Sequence, residues 1–351
     1  MMRKVALNLA RVSLVLSMLV VFAGSFVRMT GSGMGCPDWP KCFGHIIPPT
    51  DEDQVKWESQ RFFEQGQMIL HEEALWIANA SFETDESFNP RNWEKYTRHD
   101  YAHFNVYHTW TEYINRLIGA ATGIPTFFLF LVGLFYWKRD KVVTLFAAAS
   151  LFLLGFEAWL GKLVVDGNLV PNQITIHMFG ALLIVTILTL LINRLKNNTR
   201  TPIGKKTFYL FLGVLGISIL QILLGTSVRE EVDHLLKSGI ERINIIESLP
   251  VIYAIHRSFS ILVMLINGYL IYKLIKAGTG QKAYLFMWGG ILLIEVLLGV
   301  GLTYLGFPKE MQPAHLIFAF LLFLVQLYVF LQVKPRVSHH GQSRTISTQM
   351  T

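Results

Sequence analysis

The chain has 351 residues, 52% of them hydrophobic and only 16% charged, which excludes an ordinary water-soluble domain and places it among membrane proteins. Its formal charge of +7 is no argument for a nucleic-acid partner, because the basic residues fall in short segments between apolar runs and so report topology.

An apolar run of about 20 residues is enough to cross a bilayer. In chain order such runs occupy 9–28, 110–136, 142–164, 173–193, 207–228, 251–272, 283–304 and 314–333, which predicts eight transmembrane helices. The first run follows Arg3, Lys4 and Arg11 and ends in small residues from Ala23 to Ser25, so a signal peptide also fits it. It is read as a retained helix because its far end recurs later in the chain. The N-terminus, the segments 138–141, 194–206 and 273–282 and the tail carry 17 Lys and Arg against one acid, Asp140. By the positive-inside rule these segments, and both termini, lie in the cytoplasm. The first outer loop, from Met29 to His108, carries 13 Asp and Glu and lies on the oxidising side of a bacterial cytoplasmic membrane. Cys36 and Cys42 both fall in it and read as a short-loop disulfide, the alternative being two unrelated thiols. Residues 54–80, with apolar side chains at helical spacing, are expected to form one or two amphipathic helices over the outer face. The tail after Lys334 is polar and expected to be disordered.

Internal repetition is the strongest signal. GSFVR at 24–28 recurs as GTSVR at 225–229, and Asn115-Arg116 at the start of the second predicted helix is matched by His256-Arg257 at the start of the sixth. The third and fourth helices align without a gap on the seventh and eighth, pairing Glu157 with Glu295, Gly161 with Gly299 and His177 with His315, so that each Glu stands 20 residues before its His. The fold class implied is an all-α integral membrane protein in which eight transmembrane helices form two parallel-duplicated four-helix bundles. The N-terminal half spans 1–200 and includes the loop 29–108; the C-terminal half spans 201–334, and 335–351 is a cytoplasmic tail. With an even number of helices per half, matched residues lie at matched depth. Asn115, His177, His256 and His315 then stand within about two turns of the outer face, alongside Glu112, Arg28, Arg116, Arg229 and Arg257.

One such histidine alone would be an interfacial side chain; three at equivalent depth point to a ligand site. Facing imidazoles in a four-helix bundle suit a haem iron with axial histidines, the rim arginines suiting its propionates. Zinc fits less well, since it needs three or four converging ligands. Glycines on the same helices allow close approach, with ordinary helix packing as their other use. Glu157 and Glu295, in helix interiors, suit a structural or hydrogen-bonding role.

The chain also resembles a known family, the haem A synthases. VRMTGSGMGCPDWPKCFG at 27–44 with Pro48 and Pro49 after it, EYINR at 112–116, TIHMFGALL around His177, IHRSF around His256 and AHLIFAF around His315 carry the resemblance in order. It implies a membrane oxidoreductase that converts haem O to haem A by oxidising a ring methyl to a formyl group through successive hydroxylations. It further implies a haem b cofactor on His256 and His315, substrate haem O in the N-terminal half with His177 as iron ligand, Glu112 as the carboxylate beside that substrate, and Cys36 and Cys42 as the family's cysteine pair. Haem O synthase and terminal-oxidase assembly factors are candidate partners besides membrane lipid, and a homo-oligomer stays open. The alternative use of Glu112 is an ion pair with Arg116 one turn away.

The family's motif at the start of the second helix is Glu-x-x-His, and here its last position is Asn115. The half that relays electrons then keeps two axial histidines, whereas the half that does chemistry leaves one side of the iron open or holds water through the amide. His108 is the rival ligand, seven residues before Asn115 or about 10 Å along a helix; His103 is further still. Two other functions fit the bare pattern: a bis-histidine cytochrome b that only relays electrons, and a haem chaperone or transporter.

Overall fold

The computed structural model describes residues 1–97, 103–166, 173–196 and 199–336. Of the polar tail expected after Lys334, Pro335 and Arg336 are described, Pro335 ending a short strand, and the rest lies outside the described residues. Among them, eight helices are long and apolar enough to cross a membrane. These are α1 (Met2–Thr30), α2 (Val106–Leu134), α3 (Lys141–Asp166), α4 (Gln173–Lys196), α5 (Lys205–Lys237), α7 (Val251–Lys276), α8 (Lys282–Tyr304) and α9 (Met311–Leu331). A short ninth helix, α6 (Ile245–Ser248), follows α5. The chain is thus a multi-pass membrane protein.

In the N-terminal set α1 packs on α2, α2 on α3, α3 on α4 and α4 back on α1. The C-terminal set closes the same ring, α5 to α7 to α8 to α9 to α5, and the sets meet through α1, α4, α5 and α9. Between lipid and protein there is no hydrophobic difference to drive association, so close fit decides it. Helix α1 supplies that fit with a buried line of small side chains, Ala6, Ala10, Ser13 and Ser17. Ser13 accepts a hydrogen bond from Thr126 of α2 at 3.1 Å. Helix α1 is therefore an integral wall of the bundle. At the end where α1 begins, β6 (Thr201–Ile203) pairs in parallel with β7 (Val333–Pro335) and ties α5 to the exit of α9.

The segment joining α1 to α2 is a small β-domain, and here the structure corrects the sequence reading of residues 54–80. In place of amphipathic helices it holds β1 (Phe62–Phe63), β2 (Met68–His71), β3 (Ala74–Ala78) and β4 (Phe82–Glu83), with β5 (Trp93–Lys95) completing a sheet in the order β2-β3-β5. Glu72 and Glu73 both adopt positive φ, 48° and 57°, and make the tight two-residue turn between β2 and β3. Both faces of this sheet are covered: Met68 and Leu75 join a cluster around the cysteines, whereas Ile69 and Ala78 join Phe63 and Trp93. A strand buried on both faces loses the polar alternation that would mark it, which is why its apolar residues counted as helical.

Candidate functional site

At the end of the bundle nearest the β-domain, a single cavity of about 1430 Å3 is lined from both helix sets. That exceeds the roughly 300–1,000 Å3 typical of a pocket for one drug-sized ligand, so it has room for more than one macrocycle. Every site residue expected from the sequence except the cysteines lines it: Glu112, Asn115, His177, His256, His315, Arg28, Arg116, Arg229 and Arg257. His108 is not among its lining residues.

On the C-terminal side, His256 of α7 faces His315 of α9 with ring centroids 6.3 Å apart and planes at 88°. Two imidazoles on opposite sides of one metal, each nitrogen about 2 Å from it, place their centroids about 6 Å apart, so the separation fits axial ligation of a haem iron. Gly225 of α5 and Gly299 of α8 make the room: a Cβ there would stand 3.1 Å from His256 Cε1 and 3.4 Å from His315 Cε1. Gln221 holds the α7 backbone by donating to the His256 carbonyl at 3.1 Å.

On the N-terminal side, Asn115 of α2 stands beside Gly24 of α1, as His256 stands beside Gly225, with a Cβ on Gly24 lying 3.9 Å from Asn115 Oδ1. That oxygen is buried without a hydrogen bond. His177 of α4 lies with Nδ1 2.5 Å from Glu157 of α3, and His315 with Nδ1 3.2 Å from Glu295 of α8. Among the described residues no three His, Cys, Asp or Glu side chains converge as a bare metal ion would require, so the donor set consists of imidazoles around a wide apolar space.

The cysteine loop seals the edge of this space. Cys36 and Cys42 are disulfide-bonded. Gly35 touches the backbone of α2 so closely that a Cβ would collide with His108 and Thr109. Thr109 donates to the Gly35 carbonyl at 2.8 Å, and the Cys36 N–H donates to Glu112 Oε2 at 2.7 Å. The other oxygen of Glu112 accepts from Arg116. Arg116 also donates to the carbonyls of Asp38, Lys41 and Cys36, so four of its five N–H groups are spent on Glu112 and the loop. The propionate role expected for Arg116 therefore gives way to that of a clamp between loop and carboxylate. Asp38, inside the loop, accepts from the N–H groups of Phe43 and Gly44, and burial pushes its carboxyl above the usual range.

Asp233 is a site residue that sequence reasoning missed. Helix α5 runs nine residues past its predicted end at 228, and Asp233 there pairs with Arg28 at 2.5 Å and Arg229 at 2.9 Å, joining the two helix sets. The signal was present, an acid four residues after Arg229. Arg242 lines the same cavity with a buried, unbonded Nη1. Two guanidiniums thus share the Asp233 carboxylate and a third lines the same cavity, an arrangement suited to carboxylates on a ligand.

A family model described as cytochrome oxidase assembly protein, COX15-CtaA, matches residues 8–78 and 79–327. A protein named "Heme A synthase" from Shewanella oneidensis is 25% identical over 217 residues, covering 62% of this chain and 53% of that protein. The chain thus spans about half the length of that relative. "Heme A synthase" from Wolbachia pipientis wMel is 20% identical over 353 residues, covering 92% of this chain and 91% of the relative. The Bartonella tribocorum protein of the same name is 22% identical over 320 residues, covering 82% of this chain and 80% of its own.

Proposed function

Because the chain belongs to the COX15-CtaA family of cytochrome oxidase assembly proteins, whose matched relatives are named haem A synthases, we propose that it oxidises a ring methyl of haem O to a formyl group by successive hydroxylations. The observation that carries this reading is the asymmetry inside one cavity: two imidazoles face each other across its C-terminal side, while an amide takes the matched place on its N-terminal side. Haem b held by His256 and His315, and haem O with its iron at His177, would supply electron transfer and oxygen insertion.

The residues around them do the rest. Glu112 is fixed by the Cys36 N–H and Arg116, and serves as proton acceptor beside the substrate ring. Asn115 Oδ1 has no protein partner, so its amide is free to hydrogen-bond water or an oxygen species on the open side of the site. Arg28, Arg229 and Arg257 would hold the propionates, Asp233 pairing with the first two. The disulfide holds the loop that holds Glu112. The halves 1–200 and 201–334 derive from a duplication, and the protein lies in a bacterial cytoplasmic membrane with both termini inside, passing haem A toward terminal-oxidase assembly.

The test is to supply haem O, a reductant system and oxygen to the purified protein and to separate the extracted pigments. Hydroxylated and formyl haem are expected. Unchanged haem O, from protein that retains its bound pigment, retires the enzyme in favour of a relay or a carrier.

A further inference from the structure

The two buried glutamates in the middle of α3 and α8 are not used by the reading above. A carboxylate inside a membrane helix is costly and needs a partner that repays it. Glu157 is 6% exposed, and its Oε2 lies 2.5 Å from His177 Nδ1 on the next helix; Glu295 Oε1 lies 3.2 Å from His315 Nδ1 in the same relation. Each contact is an ion-pair approach short of an aligned hydrogen bond: neither Nδ1 has a hydrogen-bond partner, and the second oxygen of each carboxylate, Glu157 Oε1 and Glu295 Oε2, has none either. Each carboxylate is therefore committed to one imidazole. Helix α4 keeps Glu157 in place: Gly180, one turn after His177, leaves no room for even a methyl group beside the Glu157 carboxylate. His256 differs. Its Nδ1 is likewise buried without a hydrogen bond, but among the described residues no carboxylate pairs with it, and Gln221 of α5 bonds its backbone alone.

We propose that Glu157 and Glu295 are positioning residues that accept the Nδ1–H of His177 and His315, fix each ring with Nε2 as the free nitrogen, and make these two imidazoles stronger electron donors than His256. A carboxylate behind a ligating histidine sets its tautomer and raises its basicity. The shorter pair stands on the N-terminal side, where His177 is the single imidazole opposite Asn115, and the longer one where His256 shares the load. One carboxylate per side also accounts for the 20-residue Glu-to-His spacing recurring in both halves. The inference rests on the reading of these histidines as haem ligands.

The experiment uses full-length protein in detergent with the haem it carries on purification. Glu295→Gln keeps an acceptor for Nδ1–H but removes the charge. The expected result is an unchanged low-spin spectrum and haem content with a midpoint potential shifted upward, because the ferric form loses the donation that favoured it. An unshifted potential, while His315→Ala still abolishes the low-spin spectrum, overturns the inference and leaves the haem reading standing. A low-spin spectrum that survives His315→Ala overturns the haem reading itself. Should Glu295→Gln emerge without haem, Glu157→Gln decides. Loaded with ferrous haem O, it is expected to show a lowered iron–histidine stretching frequency by resonance Raman, and an unchanged frequency overturns the proposal.

Discussion

The two sets of four helices share a scaffold and differ in what they hang on it. Asn115 and His256 occupy matched positions on α2 and α7, each beside a matched glycine on the preceding long helix, so the backbones approach alike and only the side chain differs. Behind the cavity the contrast runs the other way. Eleven residues beyond Asn115, Thr126 makes a simple contact with Ser13; eleven beyond His256, Asn267 accepts from both Trp288 and Gln326, all three fully buried. The C-terminal set combines two imidazoles with a stiff polar core, as a permanent cofactor site would. The N-terminal set combines one imidazole, a free amide and a clamped carboxylate, as a site for exchange and chemistry would.

The largest effect that breaks this contrast is expected from His256→Ala or His315→Ala. Either change should abolish the low-spin spectrum of the purified protein, since the two rings face each other as a pair and alanine offers no ligand. Absorption and electron paramagnetic resonance check it, and a surviving signal would move the cofactor site elsewhere.

Asn115→His comes next and removes the contrast from the other side. With haem O loaded, the variant should turn from high to low spin, because imidazole is a far stronger iron ligand than an amide or water. Turnover should fall about tenfold or more, equivalent to about 1.4 kcal/mol in the barrier. His108→Ala should leave both spectra alone, as His108 does not line the cavity. A wild-type N-terminal site that is low spin and loses that character in His108→Ala would defeat the open-site reading.

What the sequence made legible follows from where the signal was long-range or local. Eight spans and the matched motifs were readable because bilayer length and internal repetition of sequence motifs make long, redundant patterns. The β-domain was not, since a sheet with Met68 buried on one side and Ile69 on the other carries no alternation, and its turn at Glu72 and Glu73 lacks the usual Asn or Gly. The local pairings were legible too, Cys36 with Cys42 and Glu112 with Arg116 one turn on, but the wider network around them was not. Arg116 was expected at a propionate and is spent on the carbonyls of the cysteine loop, which only the path of residues 36–41 could reveal. Asp233 escaped because it lies beyond the apolar run that defined its helix.

A smaller effect separates the two ends of the cavity through the disulfide, which the C-terminal set lacks. Closing so short a loop is worth about 2 kcal/mol. Cys36→Ser and Cys42→Ser should therefore act alike, loosening the Cys36 N–H on Glu112 and lowering turnover while leaving the low-spin spectrum of the C-terminal side intact. Activities that differ strongly between the two variants would point to separate thiol roles.

The smallest expected effect concerns the cores behind the two sites. Asn267→Leu keeps the branched shape and heavy-atom count but takes the acceptor from Trp288 Nε1 at 2.9 Å and from Gln326 Nε2 at 2.8 Å, leaving two buried donors unpaired. In water each would cost more, but interhelical hydrogen bonds inside membranes average about 0.6 kcal/mol, so the loss is expected to be about 1 kcal/mol. Thr126→Val removes one bond to Ser13, whose hydroxyl can turn to its own helix, and should cost less than half as much. Thermal unfolding in detergent, followed by release of the bound haem, measures both. If the polar core serves the permanent cofactor, Asn267→Leu should lower the release temperature more than Thr126→Val does. Equal shifts would mean that the polar network stiffens the whole bundle, and the difference between the halves would then lie in their ligands alone.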